Sequence, residues 1–128
     1  MRYLLDTHIV IWAMVGSEKL SGRVRAILQD SGNEFFVSSA SLWEVAIKHH
    51  ARPLDVPVTV EQMIRFCRSS GIAELPIRFK HSRRVSVLPD IHHDPFDRML
   101  VAQASEENLL LLSHDRKLPP YGDFVILA

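Results

Sequence analysis

Apolar and polar residues alternate along the chain in blocks whose period switches repeatedly between strand-like and helix-like. The run RYLLDT (2–7) is short and apolar and ends in a polar pair, and IVIWAMVG then carries a helical burial pattern up to Gly16. A strand followed by a helix is predicted there. Residues 21–32 predict a second helix, with Ser21 as its cap, Val24, Ile27 and Leu28 on one face, and Gly32 as its stop. A strand is expected over about Glu34–Ser38. In the helix that follows, SLWEVAIKHH, Ser41 and Glu44 have the S-x-x-E spacing of a capping box.

Two prolines make ARPLDVPVT a loop, Thr59 suits the cap of VEQMIRFCRSSG, IAELPI is a third strand, and FKHSRRVSVL is a short helix. After the loop PDIHH comes HHDPFDRMLVAQA. There Asp94 fits an N-cap, Pro95 fits the first helical position, where no amide hydrogen is needed, and Asp97 falls at N3 near the positive end of the helix dipole. NLLLLSHD (108–115) is a nearly all-apolar strand, and DFVILA is the last one. Continuous apolar strands indicate burial on both faces. Their alternation with helices, without internal repeats or low-complexity tracts, predicts an α/β domain with a mostly parallel, doubly wound sheet.

Composition narrows the class without changing the fold. A chain of 128 residues, 47% hydrophobic and 23% charged, is expected to form one soluble domain (1–128) with a real core. Lys plus Arg equals Asp plus Glu at 15 each, so no global field draws nucleic acid, and any such binding must rely on local patches. Cys67 is the single cysteine and is read as a small core residue of a reducing compartment. The apolar run Ile9–Val15 is too short to span a bilayer and lacks a cleavage signal behind it, so a cytoplasmic location is expected.

In doubly wound sheets, ligands bind just past the carboxyl ends of the strands. Asp6 directly follows YLL, Asp115 closely follows LLLLS, and Glu44 lies in the helix after FFV, which puts all three at one sheet edge. Asp97 opens the helix leading into the strand at 109–112, and a helix antiparallel to the strands brings its N-terminus to that same edge. Taken singly, these acids have ordinary readings as strand end, turn, capping box and dipole partner. Taken together, carboxylates within several Å raise one another's pKa unless a cation neutralises them. With oxygen ligands, and with no further Cys or dedicated His pair, the expected ion is Mg²⁺ or Mn²⁺ and its usual substrate is a phosphate ester.

The segments LLDTHIVIW, SSASLWEVAIK, HHDPFDRMLVAQA and LLSHD, in this order and spacing, resemble a PIN-domain ribonuclease over nearly the full chain. Specifically, they resemble the toxins of bacterial type II toxin-antitoxin pairs of the VapBC kind. The resemblance implies a three-layer α/β/α PIN fold with a five-stranded sheet and Mg²⁺- or Mn²⁺-dependent endoribonuclease activity, leaving 5′-phosphate and 3′-hydroxyl ends. It implies Asp6 and Asp97 as the main metal-binding acids. Glu44 and Asp115 act directly or through water, with Thr7 and Ser113 as supporting polar residues. It also implies a homodimer and a small antitoxin whose C-terminal segment covers the acidic cleft. Ser113 departs from the threonine frequent in the family. Asp94 adds a neighbouring acid, and Asp97 is preferred as the ligand because it matches the family's acid and lies inside the helix start.

Arg98, beside Asp97, is a candidate contact to an RNA phosphate. The cluster Arg78, Lys80, Arg83 and Arg84 reads as a solvated face, and His92 and His93 as solvated loop residues. Trp12 and Trp43, in apolar helical runs, are expected to pack in the core or a subunit interface, with base stacking a distant second reading. A phospho-receiver domain fits poorly, since LLDTH carries one acid and IAELPI ends without an Asp. A catalytically inactive PIN-like module that binds RNA or protein is the other alternative, and the intact set of four acids stands against it.

Overall fold

Each block expected to be a strand enters a single sheet in the computed structural model, which describes residues 1–128. The strands are β1 (Arg2–Leu5), β2 (Glu34–Ser38), β3 (Ala73–Leu75), β4 (Leu110–Ser113) and β5 (Val125–Leu127). The helices are α1 (Thr7–Val15), α2 (Gly22–Gln29), α3 (Ser39–Ala51), α4 (Val60–Ser69), α5 (Phe79–Ser86) and α6 (Pro95–Glu107), with a 3₁₀ turn at Pro119–Tyr121. The strands lie in the order β3-β2-β1-β4-β5, and all four pairings are parallel. The expected mostly parallel five-stranded sheet is therefore fully parallel. This order differs from the 2-1-3-4-5 order of receiver domains, which removes that alternative.

Period-two alternation sends successive side chains to two separate cores. Tyr3 and Leu5 of β1 join Ile9, Val10, Val24, Val45 and Met63 from α1 to α4 on one face. Leu4 points the other way, into a core with Leu100, Val101 and Ala104 of α6 and with Leu111 of β4. The result is a three-layer α/β/α arrangement. α5 is held onto α6 by polar contacts: the fully buried His81 ring meets Glu107 at 2.8 Å, Lys80 pairs with Glu107 at 2.9 Å, and Arg84 pairs with Glu106 at 2.6 Å. Two members of the supposed solvated basic cluster thus clasp two helices together, while Arg78 and Arg83 stay exposed.

The element ends show where local signals compete. α3 starts at Ser39, and its cap is Ser38, whose hydroxyl accepts from the Ala40 amide at 3.0 Å. The expected Ser41–Glu44 capping box therefore does not form; Ser41 is buried within the first turn and Glu44 just beyond it. Asn108, expected to begin β4, instead ends α6 in the left-handed region at φ 55°, which Asn tolerates better than most residues. Pro76 closes β3 early because it has no amide hydrogen for the ladder. α2 ends at Gln29, and Gly32 lies in the turn beyond, where its amide donates to Asp30.

Leu111 is fully buried between β1 and α6, so Leu111→Ala is expected to lower the unfolding free energy by about 2–5 kcal/mol. Urea denaturation measures this through a lower midpoint at unchanged slope.

Candidate active site

The parallel register builds the site. Leu5 of β1 pairs with Val37 of β2 and with Leu112 of β4, so the next residues, Asp6, Ser38 and Ser113, emerge side by side at the carboxyl edge. α1 and α3 start at that edge directly after β1 and β2. α6 runs down to deliver the chain to β4, so its N-terminus lies there as well.

Asp6 occupies the N-cap position of α1 yet makes no capping bond; its carboxylate instead accepts the Ser113 hydroxyl at 2.6 Å. Asp94 performs the cap at α6, accepting from the amides of Phe96 and Asp97 at 2.8 and 3.1 Å. Asp97 is thereby left with no capping bond to make, and its carboxylate faces the cleft. Glu44 is 5% exposed, accepts the Thr7 hydroxyl at 2.6 Å, and pairs with Lys48 one helical turn on at 2.5 Å. Thr7 has a single hydroxyl hydrogen, so the 2.8 Å contact between Thr7 and Ser41 is satisfied by Ser41 donating to Thr7.

Charge accumulates where these residues meet. Burial raises the Asp6 carboxyl above its ordinary range, against the lowering effects of the Ser113 bond and of His114 and His8. Burial and the charges of Asp6, Asp94, Glu44 and Asp115 together push Asp97 up to about 8. Burial also works on Asp115, but the Lys117 amide and His92 outweigh it and hold its carboxyl below the usual value. Glu44 likewise overrides the partial burial of Lys48 and raises its ammonium.

His92, read from sequence as a solvated loop residue, lies inside this cluster. Its Nε2 is 2.9 Å from Asp115 and 3.2 Å from Asp97, and its Nδ1 faces the Asp94 amide at 3.2 Å. Because Nδ1 accepts from that amide, the neutral ring carries its hydrogen on Nε2, where it donates toward the two carboxylates. One ligand atom each from His92, Asp97 and Asp115 lies within 4.8 Å of the others. The clue in the sequence was the HHDP spacing before a capped helix, but the partner at Asp115 is 23 residues away.

Arg98 also has a structural task. Its guanidinium donates to the carbonyls of Pro89 and His92 at 3.1 and 3.3 Å, to the Tyr121 hydroxyl at 3.2 Å, and to the Val85 carbonyl at 3.2 Å. It therefore anchors the end of α5 and the loop that carries His92 through its two terminal nitrogens, while its Nε–H is in none of these bonds. His8 pairs with Asp55 at 3.4 Å, and His93 is exposed. Trp12 is half-buried, packed against the core of α1 to α4 and against His114, whereas Trp43 is largely exposed.

The family model for the PIN domain matches residues 3–122. No curated protein matches the chain. Among solved structures, the chain is similar to VapBC2 from Rickettsia felis, bound to a promoter DNA fragment, at TM-score 0.70 and 16% identity, covering 100% of this chain and 98% of that one. It is similar to VapBC-1 from nontypeable Haemophilus influenzae at TM-score 0.65 and 17% identity, covering 94% and 92%. A toxin-antitoxin complex from Klebsiella pneumoniae aligns at TM-score 0.62 and 20% identity, covering 91% and 92%.

A carboxyl raised from 3.8 to about 8 favours the folded state when protonated, so that stabilisation is full below pH 3.8 and is lost as the pH rises through 8. In EDTA, the stability of the wild type relative to Asp97→Asn is expected to fall across this range by up to about 1.4 kcal/mol per pH unit. Melting curves at several pH values measure the difference, and parallel pH profiles for the two proteins would show that Asp97 titrates normally.

Proposed function

This chain belongs to the PIN domain family, and from that membership and its carboxylate cluster we infer that it is a metal-dependent endoribonuclease, the toxin of a type II toxin-antitoxin pair. The carrying observation is Asp97: burial first, and then four neighbouring acids, push its carboxyl to about 8, so it holds a proton near neutral pH where a bound cation would favour the ionised form. The donor set fits a hard divalent ion, because the acids present only oxygens. The hydrogen on His92 Nε2 makes that ring a holder of Asp97 and Asp115 rather than a ligand.

Asp6 and Asp97 would hold Mg²⁺ or Mn²⁺, with Glu44 and Asp115 acting directly or through water. When bound, the ion supplies positive charge against the phosphodiester and lowers the pKa of a water nucleophile. Asp97 would hold the ion in its ionised form, which would tie ion affinity to pH. Ser113 fixes the rotamer of Asp6, and Thr7 with Lys48 fixes Glu44, so the acids do not rearrange to meet the ion. The N-termini of α1, α3 and α6 present positive dipole ends to the same place and favour an anionic phosphate.

Support for an antitoxin partner comes from the similar solved structures, which are VapBC and toxin-antitoxin assemblies. Support for RNA as substrate comes from the motif resemblance described above.

Purified protein is expected to cut a single-stranded oligoribonucleotide with added Mn²⁺ and to stop in EDTA. Losing several kcal/mol of charge stabilisation, Asp97→Asn should reduce kcat/KM by about 10³-fold or more. Ser113→Ala, which frees Asp6 to rotate, should reduce it by about 10- to 100-fold. Gel assays on protein from two independent purifications settle the matter, and undiminished cutting by Asp97→Asn sinks the assignment.

A further inference from the structure

Trp43 is 63% exposed, an unusual position for an indole in an apolar helical run. It directly precedes Glu44 on α3, as Phe96 directly precedes Asp97 on α6, and the two rings meet edge to face with centroids 5.3 Å apart. Lys48 joins this pair to the carboxylates: its ammonium lies 2.5 Å from Glu44 and 5.7 Å from the Phe96 centroid. A second assembly of the same kind adjoins Asp6. There His114 lies 3.8 Å from the Asp6 carboxylate and 4.6 Å, ring to ring, from Trp12, while the Lys19 ammonium is 5.6 Å from the Trp12 ring.

An accessible aromatic face with an ammonium beside it, next to a phosphodiester site, is the chemistry that holds single-stranded nucleic acid. Stacking suits a flexible strand, because every base has a π-face whatever its sequence. A helix of a second protein chain would also cover an exposed indole, but the cation on Phe96 and the continuity with Glu44 favour a strand that already has a phosphate in the cleft.

We propose that Trp43, backed by Phe96, stacks a nucleobase of the strand whose phosphodiester occupies the carboxylate site. This rests on the reading of that site given above. Trp43 is thus a substrate-positioning residue, and it sets how the strand crosses the cleft rather than the chemistry within it.

The test is the binding of a 3′-labelled single-stranded oligoribonucleotide, followed by anisotropy in Ca²⁺ with strand integrity checked on a gel. Trp43→Ala should raise Kd about tenfold, within the range that stacking of one base supports, and Trp43→Phe should recover most of the loss. The slope of log Kd against log salt should not change, because no phosphate contact is removed. Wild-type affinity in Trp43→Ala overturns the proposal. So does a weaker Kd accompanied by a smaller mass in light scattering, which would assign Trp43 to contact with a second copy. Calorimetric titration of Mn²⁺ without RNA keeps the two claims apart. Equal Mn²⁺ affinity for wild type and Trp43→Ala is expected; weaker Mn²⁺ binding in the variant makes Trp43 a support for Glu44 and overturns the proposal. A wild type that binds no Mn²⁺ sinks the nuclease reading, with the stacking still judged by Kd.

Discussion

Repulsion between carboxylates at one end of a parallel sheet is the constraint around which this molecule is built. Asp6 and Glu44 are buried, and Asp97 and Asp115 are half-buried beside them. Such a cluster is unfavourable in a fold with no cation to neutralise it. The local structure answers with hydrogen bonds to individual oxygens: Ser113 on Asp6, Thr7 and Lys48 on Glu44, His92 on Asp115 and Asp97. Asp97 nevertheless keeps a carboxyl raised to about 8, chiefly by burial, so near neutral pH a proton holds the place that a cation would take.

The fold can hold this cluster because each acid is fixed by something rigid. Asp6 leaves the central strand, packed on both faces, with its amide bonded to the Leu112 carbonyl at 3.0 Å. Asp97 sits two residues past Pro95, which starts a helix capped by Asp94, and Glu44 is one turn into α3. The division of labour between Asp94 and Asp97 is instructive. One acid satisfies the helix amides so that the other need not, and the dipole that favours the cap also favours the ionised form of its neighbour. Arg98 then ties down the loop carrying His92, which links the helix start to Asp115 through a single imidazole.

Much of this was legible in the chain because it rests on local rules. Strands buried on both faces are apolar runs, and acids placed just after such runs fall at one edge whatever the details. Asp94-Pro95 announces a helix start by itself. What escaped detection depended on distant partners. Ser38, Ser39 and Ser41 all offer hydroxyls for a cap, and only the end of β2 decides that Ser38 takes the role, which frees Glu44 for Thr7. His92 looked solvated because Asp115 is remote in sequence, and Arg98 looked free because its acceptors, at the end of α5, in the following loop and on Tyr121, are set by a chain path that no pattern encodes. Lys80 and Arg84 read as a charged surface until α6 brings Glu106 and Glu107 against them. Trp43, expected in the core or a subunit interface, lies outside the core, because its place on α3 turns it away from the packed layers.

The most direct test of the central claim, that these acids form a site where a proton holds the place of a divalent cation until one binds, is calorimetric titration of Mn²⁺ at pH 7 in two buffers of different ionisation enthalpy. With Asp97 titrating at about 8, binding should release close to one proton per protein, and both the heat and the release should largely vanish in Asp97→Asn. Binding with no proton released, or Mn²⁺ heats unchanged by Asp97→Asn, would contradict the account.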